Sequence, residues 1–154
     1  MFRVDLKEDE ITAGLDRLSA GLSDLSPVMQ DLGEFLMTST KARFPDGKAP
    51  DGTPWAAKSP ATKGRDRRPL FGPSGILSSQ IFSNPGADSV EVGSNRVYAA
   101  MMQFGGTKER WPHLWGDIPA RPFLGISDSD RRGILAIFDE YLTDLVQAGV
   151  GPGR

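Results

Sequence analysis

The sequence predicts an α+β fold: an amino-terminal helical pair, a small antiparallel β-sheet and a long carboxy-terminal helix. Three observations carry that expectation. Ile11, Leu15, Leu18, Leu22 and Leu25 recur at spacings of four, three, four and three, the period of one helix face. Ser89-Val-Glu-Val-Gly alternates after the turn-forming Asn84-Pro85-Gly86. Ser127-Asp-Ser-Asp heads an apolar run with a capping hydroxyl and with acids at the positive end of the helix dipole. At 154 residues, the chain is expected to be one domain.

In chain order, Phe2-Arg-Val-Asp-Leu alternates as a short edge strand. In the first helix, Gly14 and Gly21 each weaken the helical preference by about 1 kcal/mol relative to alanine. Ser26-Pro27 starts the second helix, with the serine as cap and the proline at the first position. Its apolar stripe is Val28, Met29, Leu32, Phe35 and Leu36; it runs to about Phe44, and Pro45-Asp46-Gly47 stops it. So short a break between the two implies either a helical hairpin or one bent helix.

Residues 48–74 form the least regular stretch, with Pro50, Pro54, Pro60, Pro69 and Pro73, and are expected to be a mobile loop. Trp55 is its anchor. Lys58, Lys63, Arg65, Arg67 and Arg68 against Asp66 give a local charge of +4. Such a loop can neutralise phosphates, although it lacks interleaved aromatics for stacking bases. It can equally be a solvated surface or insert into an acidic protein partner. Ile76 to Phe82 reads as a strand that pairs with Ser89–Gly93, although its start also suits a helical turn.

Tyr98 to Leu124 is the stretch around which the chain is organised. Tyr98-Ala-Ala-Met-Met-Gln-Phe lacks β-branched residues and places Tyr98, Met101 and Met102 on one helical face, with Gly105-Gly106 to end the helix. The rival is a strand apolar on both sides; the composition favours a short buried helix. In Ile118-Pro-Ala-Arg-Pro-Phe-Leu, the two prolines hold Arg121 on a stiff, extended backbone. Arg121 and Phe123 are thus either a rigid contact pair or parts of a structural connector, with Arg121 paired to an internal carboxylate. Between the two blocks, Trp111 and Trp115 flank the sole histidine, His113, in a loop that packs either on its own subunit or on a neighbour.

The last helix carries Ile134, Leu135, Ile137, Phe138, Tyr141, Leu142, Leu145 and Val146, a face too wide for one contact. It is expected to bury against both the sheet and the amino-terminal helices. Gly149 and Gly151-Pro-Gly leave a loose tail from 149 to 154.

Composition narrows the function. The chain has no cysteine, one histidine, no nucleophile elbow, no phosphate-cradling loop and no metal-ligand spacing, so neither enzyme chemistry nor a cofactor is expected. No apolar run approaches the ~20 residues that span a bilayer, and the first residues do not form a signal peptide, so the cytoplasm is the expected place of synthesis and assembly. Charge is uneven. Residues 5–34 carry eight acids against two bases, and residues 41–121 twelve bases against seven acids. Such polarity steers association, including head-to-tail association between copies, or belongs to a solvated helix face.

Four blocks in order carry a resemblance: Arg43-Phe-Pro-Asp-Gly-Lys-Ala-Pro-Asp-Gly-Thr-Pro-Trp, Leu70-Phe-Gly-Pro-Ser-Gly-Ile-Leu, Tyr98-Ala-Ala-Met-Met-Gln-Phe-Gly-Gly, and Ile118-Pro-Ala-Arg-Pro-Phe-Leu-Gly-Ile with its Ser-Asp-Ser-Asp helix start. The chain resembles the virion morphogenesis (tail completion) family of Mu-like and P2-like tailed bacteriophages. The resemblance implies a structural protein of the virion tail or neck that completes the head-proximal end of the tail and allows head–tail joining. It also implies a homo-oligomeric ring, six subunits being favoured, beside tail tube or terminator and head-neck proteins. The alternative, from the residues themselves, is a small nucleic-acid-binding protein that uses the basic loop Lys58–Arg68, and packaged DNA is a further candidate partner of that loop. The candidate contact residues are Trp55, Arg65, Arg67, Arg68, Phe104, Trp111, Trp115, Arg121 and Phe123.

Overall fold

A computed structural model describes residues 8–58, 69–70, 76–114 and 116–149. The expected edge strand at Phe2–Leu6 and the tail beyond Gly149 lie outside these residues. The elements run α1 (Glu8–Ser23), α2 (Ser26–Asp46), α3 (Ile76–Ser79), β1 (Phe82–Pro85), β2 (Val90–Gly93), α4 (Ala99–Phe104) and α5 (Asp128–Gly149). The fold class is α+β. No helix among the described residues is long and apolar enough to cross a membrane.

The central element is α2. It packs against α3, both strands and α5, whereas α1 packs against α5 and does not fold back on α2. The two amino-terminal helices are therefore one bent path rather than a hairpin. At the bend, Asp24 rather than Ser26 does the capping: its Oδ1 accepts the Ser26 backbone N–H at 3.0 Å and also the Ser26 hydroxyl. Those hydrogen bonds hold the Asp24 carboxyl below its ordinary pKa. The far end stops as expected, with Gly47 in the left-handed region (φ 68°) and its N–H on Arg43 O; Pro45 sits inside the last turn.

Two apolar clusters lie along α2. Near its start, Val28, Met29 and Leu32 are buried, with Leu25, Val90, Ile134, Ile137, Phe138 and Tyr141 packed around them. Near its end, Phe44 gathers Ala49, Trp55, Leu70, Leu77, Ile81, Ala99 and Phe123. The hairpin joins the two. It pairs Phe82 with Gly93 through Pro85 with Val90, and Gly86 N–H donates to Ser89 O at 2.7 Å, so the turn begins two residues later than the sequence implied.

The strand expected at Ile76–Phe82 is corrected: strand pairing starts only at Phe82. Beyond Gly93 no β2 residue remains to pair with 76–81, so that backbone closes on itself as a helical turn. Leu77 and Ile81, four apart, are both buried there. The described part of the 48–74 stretch is also more built than its composition implied. Lys48 and Pro54 form an isolated antiparallel bridge, Trp55 N–H donates to Gly47 O at 2.8 Å, and Ala49 and Trp55 enter the core.

Tyr98–Phe104 resolves as helix over Ala99–Phe104. Gly105 ends it at φ 68°, with its N–H on Met101 O at 2.7 Å. A Cβ there would stand 2.6 Å from both Ala120 N and Ile118 O. Gly105→Ala therefore adds a strained φ and a backbone clash, and is expected to cost roughly 2–4 kcal/mol. A urea unfolding midpoint unchanged by this substitution would show that Gly105 is not held against 118–120.

Candidate functional site

The 118–124 segment is held at nearly every peptide by groups from elsewhere in the chain. Gly106 and Ile118 exchange backbone hydrogen bonds of 2.9 and 2.7 Å, closing the stem of the 107–117 loop. Arg121 N–H donates to Met102 O at 2.7 Å. Gln103 acts like a short strand edge: its Oε1 accepts Phe123 N–H (3.0 Å) and Leu124 N–H (2.9 Å), and its Nε2 donates to Leu124 O (3.1 Å). Trp55 Nε1 donates to Pro122 O and Arg43 Nη1 to Phe123 O, both at 2.7 Å. Two prolines leave this extended segment unable to satisfy itself, so surrounding side chains do so.

Those contacts decide the candidate residues. Trp55, Arg121 and Phe123 are turned inward, which corrects the contact-surface reading of them within this subunit. Phe123 is 0% exposed, with its ring centroid 5.6 Å from that of Phe44; Phe44 in turn meets Trp55 edge-on at 5.7 Å. Arg121 is internal, as the connector alternative had it, but its acceptors are carbonyls rather than a carboxylate. Its Nε and Nη2 donate to Ala56 O (2.8 Å) and Ala57 O (2.9 Å), and burial pulls its pKa below the ordinary arginine value. Arg65, Arg67, Arg68 and Trp115 lie outside the described residues.

The buried ion pair is a different one, between Arg43 on α2 and Asp130 on α5. Asp130 also accepts the Ser39 hydroxyl and the Ser127 backbone N–H (3.0 Å), while its own N–H donates to Ser127 Oγ at 2.9 Å. Serine and aspartate three residues apart thus form a reciprocal cap for α5, as Ser127 foretold, and the same carboxylate ties that helix to α2. Burial pushes the Asp130 carboxyl up, yet the hydrogen bonds from Ser127 and Ser39 and the charge of Arg43 outweigh it and hold its pKa below the usual range. For Arg43, desolvation outweighs the carboxylate and lowers its pKa.

Neither Arg43 nor Gln103 was a candidate in the sequence. The signal for Arg43 was present: Leu32, Leu36, Ser39 and Arg43 continue the apolar stripe of α2 at spacings of four, three and four, so the polar pair lies on the buried side. Gln103 had no comparable signal, because its partners are backbone groups about twenty residues away.

This clamp presents an apolar face outward. Val97, Ala100 and Phe104, spaced by three and four, lie along one side of α4 and its lead-in turn. Val97 is 99% exposed and Phe104 78%, while Ala99 is buried and Met102 packs on the core. At the loop stem, Trp111 is 43% exposed and its ring meets His113 edge-on at 6.2 Å. Exposed aromatic and aliphatic side chains grouped on a rigid support are characteristic of contact surfaces. Of the nine candidates, Phe104 lies on this face, and Trp111 is exposed beside Gly106. Among the described residues, no group of three or more His, Cys, Asp or Glu side chains could hold a metal.

Residues 6–143 match the phage virion morphogenesis family. The chain is 34% identical over 111 residues to "Putative capsid assembly protein G" of Escherichia phage Mu, covering 68% of this chain and 69% of that protein. It is 30% identical over 138 residues to "Mu-like prophage FluMu G protein 2" of Haemophilus influenzae, covering 90% and 93%. No solved structure matches the chain.

Proposed function

The chain belongs to the phage virion morphogenesis family, and from that premise we propose that it completes the head-proximal end of the tail so that a filled head can join. Membership makes it a structural, virion-associated assembly protein. The observation offered for the finer reading is the division of labour around residues 98–124. Inward residues of 98–124 clamp the fold, while Val97, Ala100 and Phe104 are left outward for a partner.

The work is docking rather than chemistry. Copies assemble into a ring, with six subunits favoured for matching a tail, and the ring meets tail tube or terminator proteins on one side and head-neck proteins on the other. Apolar surface covered in those contacts contributes about 25 cal/mol per Å², so the exposed face of α4 favours association. In the alternative, the chain is a small nucleic-acid-binding protein that uses Lys58–Arg68; only Lys58 of that loop lies among the described residues. A second assembly reading, an earlier role in building the head, is favoured by the name of the phage Mu relative, a capsid assembly protein.

A phage lacking this chain is expected to make DNA-filled heads and separate tails that do not join, seen by electron microscopy of lysates. Normal joined virions would overturn the tail-completion reading, and empty procapsids alone would assign the chain to head assembly. Steep salt dependence of purified chain binding to DNA would instead favour the basic loop.

A further inference from the structure

A second apolar surface lies far along the chain from α4. Tyr141 Oη donates to Gly21 O at 2.8 Å, and Leu145 packs so close to Gly21 that a Cβ there would stand 2.5 Å from its Cδ2. These contacts define the seam between α1 and α5. Arg43 meets Asp130 and Phe35 meets Gly133, so α5 runs antiparallel to α2 and then on past the bend along α1. Leu22, Leu142 and Val146 each follow a seam residue by one position, about 100° further round their own helix. In antiparallel helices, that same rotation brings them out on one side of the pair. Leu15, which follows Gly14, extends the stripe. Leu15 is 60% exposed and Val146 52%, with Leu22 and Leu142 also exposed.

Two apolar faces of one chain differ in charge. Between them, α1 from Thr12 and α5 from Leu135 onward carry four acids (Asp16, Asp139, Glu140 and Asp144) against Arg17. Around α4 and the loop closed beside it, residues 94–117 carry Arg96, Lys108 and Arg110 against Glu109 and Asp117, whose Oδ1 accepts the Lys108 backbone N–H. Arg96 precedes Val97, and its Nε is buried without a hydrogen-bond partner among the described residues. A twofold contact of either face with itself would set like charges together, whereas crossing the faces sets basic against acidic. Nor do the faces meet within one subunit: α4 is anchored to 118–124, not to the α1–α5 pair.

We propose that the α4 face of one copy docks on the acidic α1–α5 seam of a second copy. The occupant of each face is therefore this same chain in a head-to-tail contact, which closes to a ring when its rotation closes. This rests on the homo-oligomeric reading above and specifies the surfaces it uses.

The test uses the purified full chain in sedimentation velocity across a concentration series. Wild type is expected to associate beyond a dimer. Phe104→Asp and Val146→Asp, both at exposed positions, are each expected to weaken association at least about tenfold. Their equimolar mixture is then expected to form a one-to-one heterodimer and nothing larger, because one intact α4 face and one intact seam remain. Leu15→Asp should substitute for Val146→Asp, and wild-type melting temperatures would confirm folding. Two variants that each still associate like wild type would overturn this pairing while leaving oligomerisation intact. Dimerisation of Val146→Asp alone would replace it with a symmetric α4 contact. A wild-type chain that stays monomeric throughout would overturn both this proposal and the oligomeric reading beneath it.

Discussion

Asp130→Ala is expected to cost roughly 3–5 kcal/mol, because it leaves the Arg43 guanidinium buried without its counter-charge. It also removes an acceptor from Ser39 and opens the Ser127 cap on α5. For a chain of this size the melting midpoint should fall by roughly 6–20 °C. The pair Arg43→Met with Asp130→Leu should cost much less than either single change, since apolar side chains bury without a desolvation penalty. Additive losses in that double-mutant cycle would mean that the two side chains do not act as a unit.

The same carboxylate sets a pH dependence. Its folded pKa lies below the unfolded value near 3.9, so its stabilisation is fully present above that value and is lost as pH falls through the folded pKa. The gap in melting temperature between wild type and Asp130→Asn is thus expected to be largest near neutrality and to close below about pH 4. A gap independent of pH would mean that the ionised carboxylate is not what stabilises the wild type.

Arg121→Glu is expected to disrupt the fold rather than only its assembly. Arg121 is 8% exposed, and its guanidinium fills a site made by two carbonyl oxygens, Ala56 O and Ala57 O. A carboxylate there would be desolvated, would lose both donors and would face two partial negative charges, a loss of roughly 3–5 kcal/mol. Arg121→Met should cost less, about 1–3 kcal/mol, since it removes the hydrogen bonds but adds no charge. Thermal melts of both variants, beside an infectivity complementation assay, check the order. Wild-type melting of Arg121→Glu with failed joining would return Arg121 to a surface contact, which the sequence alone also allowed.

Local chemistry determined much of this protein without help from the fold. Five leucine and isoleucine positions at helical spacing, Ser127 ahead of acids, Gly105 after Phe104 and alternation at Val90–Gly93 are short-range signals, and each produced the element it implied. The family was legible for the same reason, since its blocks are short runs of adjacent residues. The Ile76–Phe82 expectation failed because strand formation needs a partner, and β2 is only four residues long. Sequence also determined that Leu15 and Leu22 lie on an apolar stripe, but not that α5 would leave them exposed.

Tertiary structure alone decided which arginine meets a carboxylate. Arg43 and Arg121 are both flanked by apolar residues and turns, and only the approach of α5 to α2 brings Asp130 to the first and leaves carbonyls for the second. It likewise turned Phe123 inward and Phe104 outward, although each is an aromatic beside a turn-forming residue. The physical reason is common to these cases. Helix period, capping and turn geometry act over a few residues, and so can be read from neighbours in the chain. Burial and charge pairing depend on groups brought together across some 65 to 90 positions, such as Trp55 with Pro122 and Arg43 with Asp130, and these exist only once the chain has packed.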